Sequence, residues 1–441
     1  MQPPISYALA NLPRYTSYPT APHFQSLDEA TYRGWLAAVQ PDHALSVYVH
    51  VPFCKSLCWY CGCHTAVTRS ANRIGRYASG LHQEAALLQA ALPVHGGIAM
   101  LHLGGGTPTT LGPAGLRALL KELRERFGFR PRAEVAAELD PRTLDEATIA
   151  ALAEGGVNRV SLGVQDIHEK VQQRIGRVQP VECVAEAVGR LRQAGIRSIN
   201  FDLMYGLPSQ GVAEVEASAR FAAALGADRV AVFGYAHVPW VKPHQAAIRT
   251  AELPDAEARL AQADAAEAVL NACGYVSIGL DHFARPGDEL ATAALEGRLH
   301  RNFQGYTADE APVLLGLGAS SIGWLPQGYV QNEVDERRWL DAVEGGHLPV
   351  RRGRALTEED RLRRSAIERV MCDLALDFRP LPPALVEDAL HDLRELEEDG
   401  IVTLLPHRLE VTQAGRRHVR HVAACFDAYL AAGTARHSRA V

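Results

Sequence analysis

The sequence predicts an α/β fold, built as an open, TIM-like partial barrel of six strand–helix units. Short β-branched or apolar runs alternate with longer amphipathic stretches from Leu45 onward, which argues for right-handed βαβ units and a parallel sheet. The alternation stops after six units, too few to close an eight-fold barrel. Residues able to do chemistry fall just after the strands, at the rim where parallel α/β folds bind ligands.

The strands expected in order are Leu45–Val51, Ile98–Leu103, Glu134–Leu139, Val157–Leu162, Ser198–Leu203 and Arg229–Phe233. Between them the helical period is carried by Tyr77–Ala91, Gly115–Arg126, Glu146–Glu154, Val181–Ala194 and Val212–Ala224. A cysteine-rich loop follows the first strand, Gly104–Thr107 the second, Asp140 the third and Gln165 the fourth. Tyr205-Gly206 and Tyr235–His237 follow the last two. Beyond Ala355 the texture changes. Helical patterns at Glu358–Leu376 and Ala384–Asp399 precede two short strand-like runs and a final helix from Gln413 to about Ala432, a winged-helix-like order. The chain therefore divides into an N-terminal arm (1–42) lying across the main domain, a catalytic domain (43–350) and a mainly helical C-terminal domain (351–441).

A chain of 441 residues can bury a large core, and a net charge of −6 is mild for that size. No clustered basic face suits nucleic acid; the run Arg351-Arg352-Gly353-Arg354 is followed by acids and reads as a solvated face. No apolar run reaches membrane-spanning length, and Met1-Gln2-Pro3-Pro4 is no secretory leader. The expectation is a cytoplasmic monomer with neither a nucleic-acid nor a membrane partner.

Cys54, Cys58, Cys61 and Cys63 crowd one loop, the first three spaced C-x3-C-x2-C. Three thiolates on a short loop can hold three corners of an iron–sulfur cube, leaving one iron open. Cluster ligation usually takes four cysteines, so three suggest chemistry at the vacant iron. Structural zinc is the second reading, although its usual signature is two separated pairs and no second C-x2-C lies downstream. Cys183, Cys273, Cys372 and Cys425 are isolated and read as small buried hydrophobes.

Several segments narrow this. They are Tyr48-Val-His-Val-Pro-Phe-Cys54, Arg14-Tyr-Thr-Ser-Tyr-Pro-Thr20, Gly104-Gly-Gly-Thr-Pro-Thr109, Gly163-Val-Gln-Asp166, Asp202-Leu-Met-Tyr-Gly-Leu-Pro208, Asp281-His-Phe-Ala-Arg285 and Leu299-His-Arg-Asn-Phe-Gln-Gly-Tyr306. In this order, with Cys61-Gly-Cys63, they resemble the oxygen-independent coproporphyrinogen III oxidases of the radical S-adenosylmethionine (SAM) superfamily. A haem chaperone on the same scaffold is the alternative. That group typically lacks the Cys-Gly-Cys ending and the Arg14–Thr20 arm.

The resemblance implies a radical SAM partial barrel with an extended sheet. It implies a 4Fe–4S cluster on Cys54, Cys58 and Cys61, with SAM on the fourth iron and a 5′-deoxyadenosyl radical as oxidant. Two propionates of coproporphyrinogen III would become vinyl groups, giving protoporphyrinogen IX, with a low-potential donor such as flavodoxin or ferredoxin. Two SAM molecules are implied. Tyr48, Gly104, Gly105, Gly106, Glu138 and Ile322 would serve the first; Tyr60, Gly106, Thr107, Gln165, Arg177, Asp202 and Ala236 the second. Tyr48, Glu138, Phe303, Gln304 and Ile322 are the residues implied closest to the chemistry. Cys63 would be a thiol beside the cluster and no ligand. Arg14, Arg285 and Arg301 are candidates for the substrate carboxylates, with Phe303 and Gln304 lining the same cavity.

Overall fold

The computed structural model describes residues 3–430, which form two compact units. The Cys-loop unit takes Phe24–Asp202 and Asp309–Ala355. The second unit takes 3–23, Leu203–Ala308 and 356–430. These cuts fall elsewhere than residues 43 and 351, because the chain leaves the Cys-loop unit after Asp202 and re-enters it at Asp309.

In the Cys-loop unit β1 (Leu45–Val51), β2 (Ile98–Gly105), β3 (Phe129–Leu139) and β4 (Arg159–Gln165) lie side by side and parallel. β5 (Ser198–Tyr205) follows β4. The connecting helices are α1 (Ala71–Ala91), α2 (Gly112–Phe127), α3 (Glu146–Glu154) and α4 (Val181–Gln193). β1 is buried at every position but Tyr48, as expected of a strand covered on both faces. α1 starts six residues before its apolar period, because the Ser70 hydroxyl accepts from the Arg73 N–H and caps a polar first turn. β3 begins five residues early for a related reason. Its opening, Phe129-Arg-Pro-Arg-Ala, is largely solvent-facing and carries no hydrophobic alternation.

The extended sheet grows from the other edge of β1. Val313–Leu317 pairs parallel with β1, and Ile322–Leu325, Gly328–Asn332, Val350–Ala355 and Gln25–Ser26 continue antiparallel. The basic run Arg351–Arg354 is thus a strand of this sheet, with Arg352 donating to Gln331 Oε1.

In the second unit the end of β5 meets β6 (Arg229–Gly234) where Tyr235 N–H donates to Tyr205 C=O. Two antiparallel strands, His282–Ala284 and Val276–Ile278, follow β6. α5 (Val212–Ala224) lies here too. Of the three expected C-terminal helices the first and the last are shorter than the sequence suggested, and the middle one has the expected length. Leu374, in the left-handed region (φ +55°), ends α6 (Glu358–Asp373) and frees Ala375–Asp377 for a three-stranded sheet with Arg408–Val411 and Val402–Leu405. α7 spans Pro383–Glu398. The final helix is only Val419–Ala424, after a tight turn at Arg416–His418; Ala432 lies outside the described residues. Within this unit the N-terminal arm is anchored in the helical core. Tyr15 and Tyr18 are buried in that core, and Tyr7 and Tyr15 donate to Asp399 and Asp427.

One buried carboxylate knits the Cys-loop unit. Glu84 on α1 is 1% exposed and accepts from Gly318 N–H (2.7 Å), Asn332 Nδ2 (2.6 Å) and Trp339 Nε1 (3.0 Å). Burial pushes its pKa up to about 7, while the three donors pull the other way. Folding therefore takes up a proton between about pH 4.5 and pH 7, so this group's contribution to stability falls as pH rises through that window and is level above it. Two outcomes are expected. Glu84→Ala strands three buried donors, each costing about 1–3 kcal/mol, and should lower the thermal midpoint by several degrees. In Glu84→Gln, urea melts should lose the pH slope of the parent; a slope unchanged from the parent would count against the role.

Candidate functional site

Parallel register aligns the strand ends. Val51 is level with Gly105, Leu103 with Ala137, and Leu139 with Leu162. The segments beyond those residues therefore emerge along one edge. The Cys loop is pinned to it at both ends: Phe53–Cys54 pairs with Ala66–Val67, and Trp59 N–H donates to Ile175 C=O. The Trp59 ring lies over Gly176 (φ +66°), where a Cβ would come within 3.1 Å of it.

The thiols meet donors. Thr107 Oγ1 donates to Cys54 Sγ (3.5 Å), and Arg177 Nη1 (3.6 Å) and Arg142 Nη2 (3.9 Å) donate to Cys58 Sγ. Burial pushes Cys54 up to about 11, with smaller contributions from its thiol neighbours. Such a thiol gives up its proton when a metal takes the charge. Hydrogen bonds to the sulfurs are also what tunes an iron–sulfur cluster. Cys54, Cys58 and Cys61 with these donors fit a cluster. Among the described residues no three His, Cys, Asp or Glu side chains converge on a point that a single ion could share. A cube does not ask that of its cysteines, since each corner is a separate iron. Cys63 is exposed, and a hydrogen bond with Cys61 raises its thiol well above the ordinary value.

Beside the loop lies a polar network that the sequence reading caught only in part. Glu138 accepts from His102 Nε2 (3.0 Å) and from Gly105 N–H (3.1 Å). Burial works to raise its pKa, but His102, the Gly105 amide and His50 hold it below the usual carboxylate range. Tyr48 Oη bonds His50 Nδ1 (3.0 Å), while His50 Nε2 donates to His64 C=O (2.9 Å). That pairing makes Nδ1 the acceptor of the tyrosine proton. Asp140 binds Arg142 (2.6 Å) and Arg177 (3.4 Å), and Arg177 Nη2 also donates to Gly163 C=O (2.7 Å). Asp140 is held low: burial opposes this, and Arg142 and Arg177 outweigh it. Asp202, the carboxylate inside an apolar strand, accepts from Ser161 Oγ (2.7 Å) and Asn200 Nδ2 (2.8 Å).

The glycines are explained by packing before any ligand is considered. A Cβ on Gly104 would strike Glu138 and Tyr48, one on Gly105 (φ +111°) His50, and one on Gly106 the Phe53 carbonyl. Gln165 ends β4 with φ +67°, a conformation unfavourable for a side chain with a Cβ. Ile322 lies across from Tyr48 through Gly316, which pairs with Tyr48 and crowds the Ile322 backbone.

Tyr48, Tyr60, Gly104, Gly105, Gly106, Thr107, Glu138, Gln165, Arg177, Asp202, Ile322 and the three ligand cysteines all belong to the Cys-loop unit. Ala236, Phe303 and Gln304 belong to the second, as do the candidate arginines. There Ala236, Arg14 and Arg301 line a cavity at the end of β6, together with Arg259, Arg417 and Arg420. Arg285, Phe303 and Gln304 lie outside this cavity's lining. Arg285 instead donates to Ala227 C=O and lies over Tyr275. Phe303 and Gln304 form the turn of the His300–Thr307 hairpin and are not among the lining residues.

The fold and the three-cysteine loop define a radical SAM protein, and the Radical SAM superfamily model matches residues 48–222. The chain is 47% identical to the oxygen-independent coproporphyrinogen III oxidase of Bradyrhizobium diazoefficiens over 99% of both chains. It is 40% identical to that of Escherichia coli over 95% of this chain and 93% of the relative. A solved structure of coproporphyrinogen III oxidase from Escherichia coli, itself described as a radical SAM enzyme, superposes with a TM-score of 0.90 at 38% identity. The match covers 95% of this chain and 98% of that one. The chain belongs to the oxygen-independent coproporphyrinogen III oxidase family.

Replacing Cys54, Cys58 or Cys61 by Ala is expected to remove iron and acid-labile sulfide after anaerobic reconstitution, while Cys63→Ala keeps both. A full cluster in Cys58→Ala would contradict the ligand set.

Proposed function

We propose that this chain carries out oxygen-independent oxidative decarboxylation of coproporphyrinogen III to protoporphyrinogen IX. Each of two propionates loses CO2, a proton and two electrons and becomes a vinyl group. The observation that carries the reading is the pinned three-cysteine loop at the end of β1, in a chain 47% identical to an oxidase of that name along its length. A 4Fe–4S cluster with SAM supplies the radical oxidant; two SAM molecules are the count we propose.

The chain's residues hold and orient. Glu138, kept ionised by His102 and the Gly105 amide, offers its carboxylate to ribose hydroxyls or the SAM ammonium group. Tyr48, fixed through His50, presents its ring to the same ligand, with Gly104, Gly105 and Ile322 beside it. Arg177 is anchored on Asp140 and Gly163 and offers a forked contact to a second methionyl carboxylate. Tyr60, Gly106, Thr107, Gln165, Asp202 and Ala236 complete that second set, and Phe303 and Gln304 approach the porphyrinogen. Residues 43–350 carry the chemistry, with 1–42 and 351–441 as accessory segments. The proposed setting is a cytoplasmic monomer fed by a flavodoxin- or ferredoxin-like donor, with no nucleic-acid or membrane partner.

The reconstituted chain with SAM, a low-potential reductant and coproporphyrinogen III should release CO2 and form protoporphyrinogen IX. Haem binding without vinyl product would favour a carrier instead. Glu138→Gln, which removes a charged hydrogen-bond partner worth about 1.5–3 kcal/mol, should lower kcat/KM by roughly ten- to a hundredfold. Parent-like kinetics would remove Glu138 from the site.

A further inference from the structure

The cavity at the end of β6 has a composition that the cluster chemistry does not explain. Its lining brings together five guanidiniums, those of Arg14, Arg259, Arg301, Arg417 and Arg420, and one carboxylate, Asp281; Arg417 also pairs beyond the lining with Asp264 (3.1 Å) and Glu267 (2.5 Å). Asp281 bonds His282 Nδ1 (2.7 Å). Burial would raise its pKa, yet His282, Arg301 and Arg14 hold it at about 2. It is therefore a fixed anion shared by two of the arginines.

Several of the other contacts recorded for these guanidiniums go to backbone carbonyls. Arg14 donates to Gly234, Arg259 to Tyr235, Arg301 to Arg14, and Arg420 to Leu12 and Pro13. These contacts orient the forks. Arg301 also lies over the Tyr306 ring at 4.4 Å, which fixes its plane, and its Nη1 is buried with no hydrogen-bond partner among the described residues. An unsatisfied buried donor on a charged group is costly. Arg420 shows the strain: burial first, then Arg14 and Arg301, lower its pKa to about 9. A pre-oriented cluster of like charge with a vacant donor is what a planar anion completes.

We propose that this cavity is the anchoring subsite for a propionate carboxylate of the tetrapyrrole, with Arg301 as its forked ligand and Arg14 and Arg420 beside it. The proposal rests on the function proposed above and names the residues that hold the substrate. A methionyl carboxylate offers the same chemistry, and Ala236, implied for the second SAM, lines the same cavity. We assign the site to the tetrapyrrole because a tetracarboxylate is purely anionic toward this arginine-rich lining, whereas SAM brings one carboxylate together with a sulfonium and an ammonium.

Binding can be read without turnover, using the redox-stable tetracarboxylate coproporphyrin III as fluorescent probe on the full chain with its cluster reconstituted. Arg301→Gln should weaken coproporphyrin III roughly tenfold, Arg301→Lys by less, and SAM affinity in equilibrium dialysis should not move. Arg14 is exposed, so Arg14→Gln is a second variant that spares the core; it should weaken the porphyrin and flatten its salt dependence. Arg285→Gln, outside the cavity, should leave both ligands as in the parent. Parent-like porphyrin affinity in both Arg301→Gln and Arg14→Gln overturns the proposal, as does a loss confined to SAM. Parent binding of the porphyrin without vinyl product would instead overturn the proposed function and leave the subsite standing.

Discussion

The parallel register of β1 to β4 is the constraint on which the site depends. Because Val51, Gly105, Leu139 and Gln165 end their strands along one edge, the cysteine loop, the Gly106–Thr107 turn, Asp140 and the strained Gln165 leave the sheet as neighbours. No single residue could substitute for that alignment. A one-residue slip would turn each inward side chain to the opposite face, removing His102 from Glu138 and Ser161 from Asp202.

Electrostatics then divides the molecule's work. In the Cys-loop unit three half-buried carboxylates near the loop have named partners: Glu138 with His102 and an amide, Asp140 with two guanidiniums, Asp202 with a hydroxyl and an amide side chain. Those guanidiniums also face a cysteine sulfur, which suits a thiolate-bound cluster carrying negative charge. The second unit gathers arginines at one cavity, where Asp281 is the lining acid and Arg417 also pairs with Asp264 and Glu267. Partnered carboxylates beside the cysteine loop and an arginine-rich cavity in the second unit are the two electrostatic environments on which the proposed cofactor and substrate assignments rest.

Much of this was legible in the chain. The five strand–helix units up to Ala224 follow from apolar alternation, with β1, α3 and α5 bounded as expected. The cysteine loop announced itself by spacing. What escaped had physical reasons. β3 opens with solvent-facing arginines, and the antiparallel extension after Val313 consists of short strands without a helical partner to set their rhythm. His50, Ser161 and Asn200 were missed although each belongs to a row of polar residues at every second position of an otherwise apolar strand, and His102 is the lone polar side chain of its strand. Arg259, Arg417 and Arg420 come from distant helical and turn segments, and only folding brings them to Arg301. The glycine triplet taught the converse: its need for glycine comes first from the protein's own atoms.

The central claim is that protein thiolates hold three corners of a cluster and SAM takes the fourth. Electron–nuclear double resonance on the reduced holoenzyme, with SAM carrying an isotopically labelled carboxylate, tests it most directly. The account predicts a hyperfine coupling between label and cluster that vanishes in Cys58→Ala along with the cluster. An intact cluster showing no coupling to bound SAM, its four irons all held by protein groups, would contradict it.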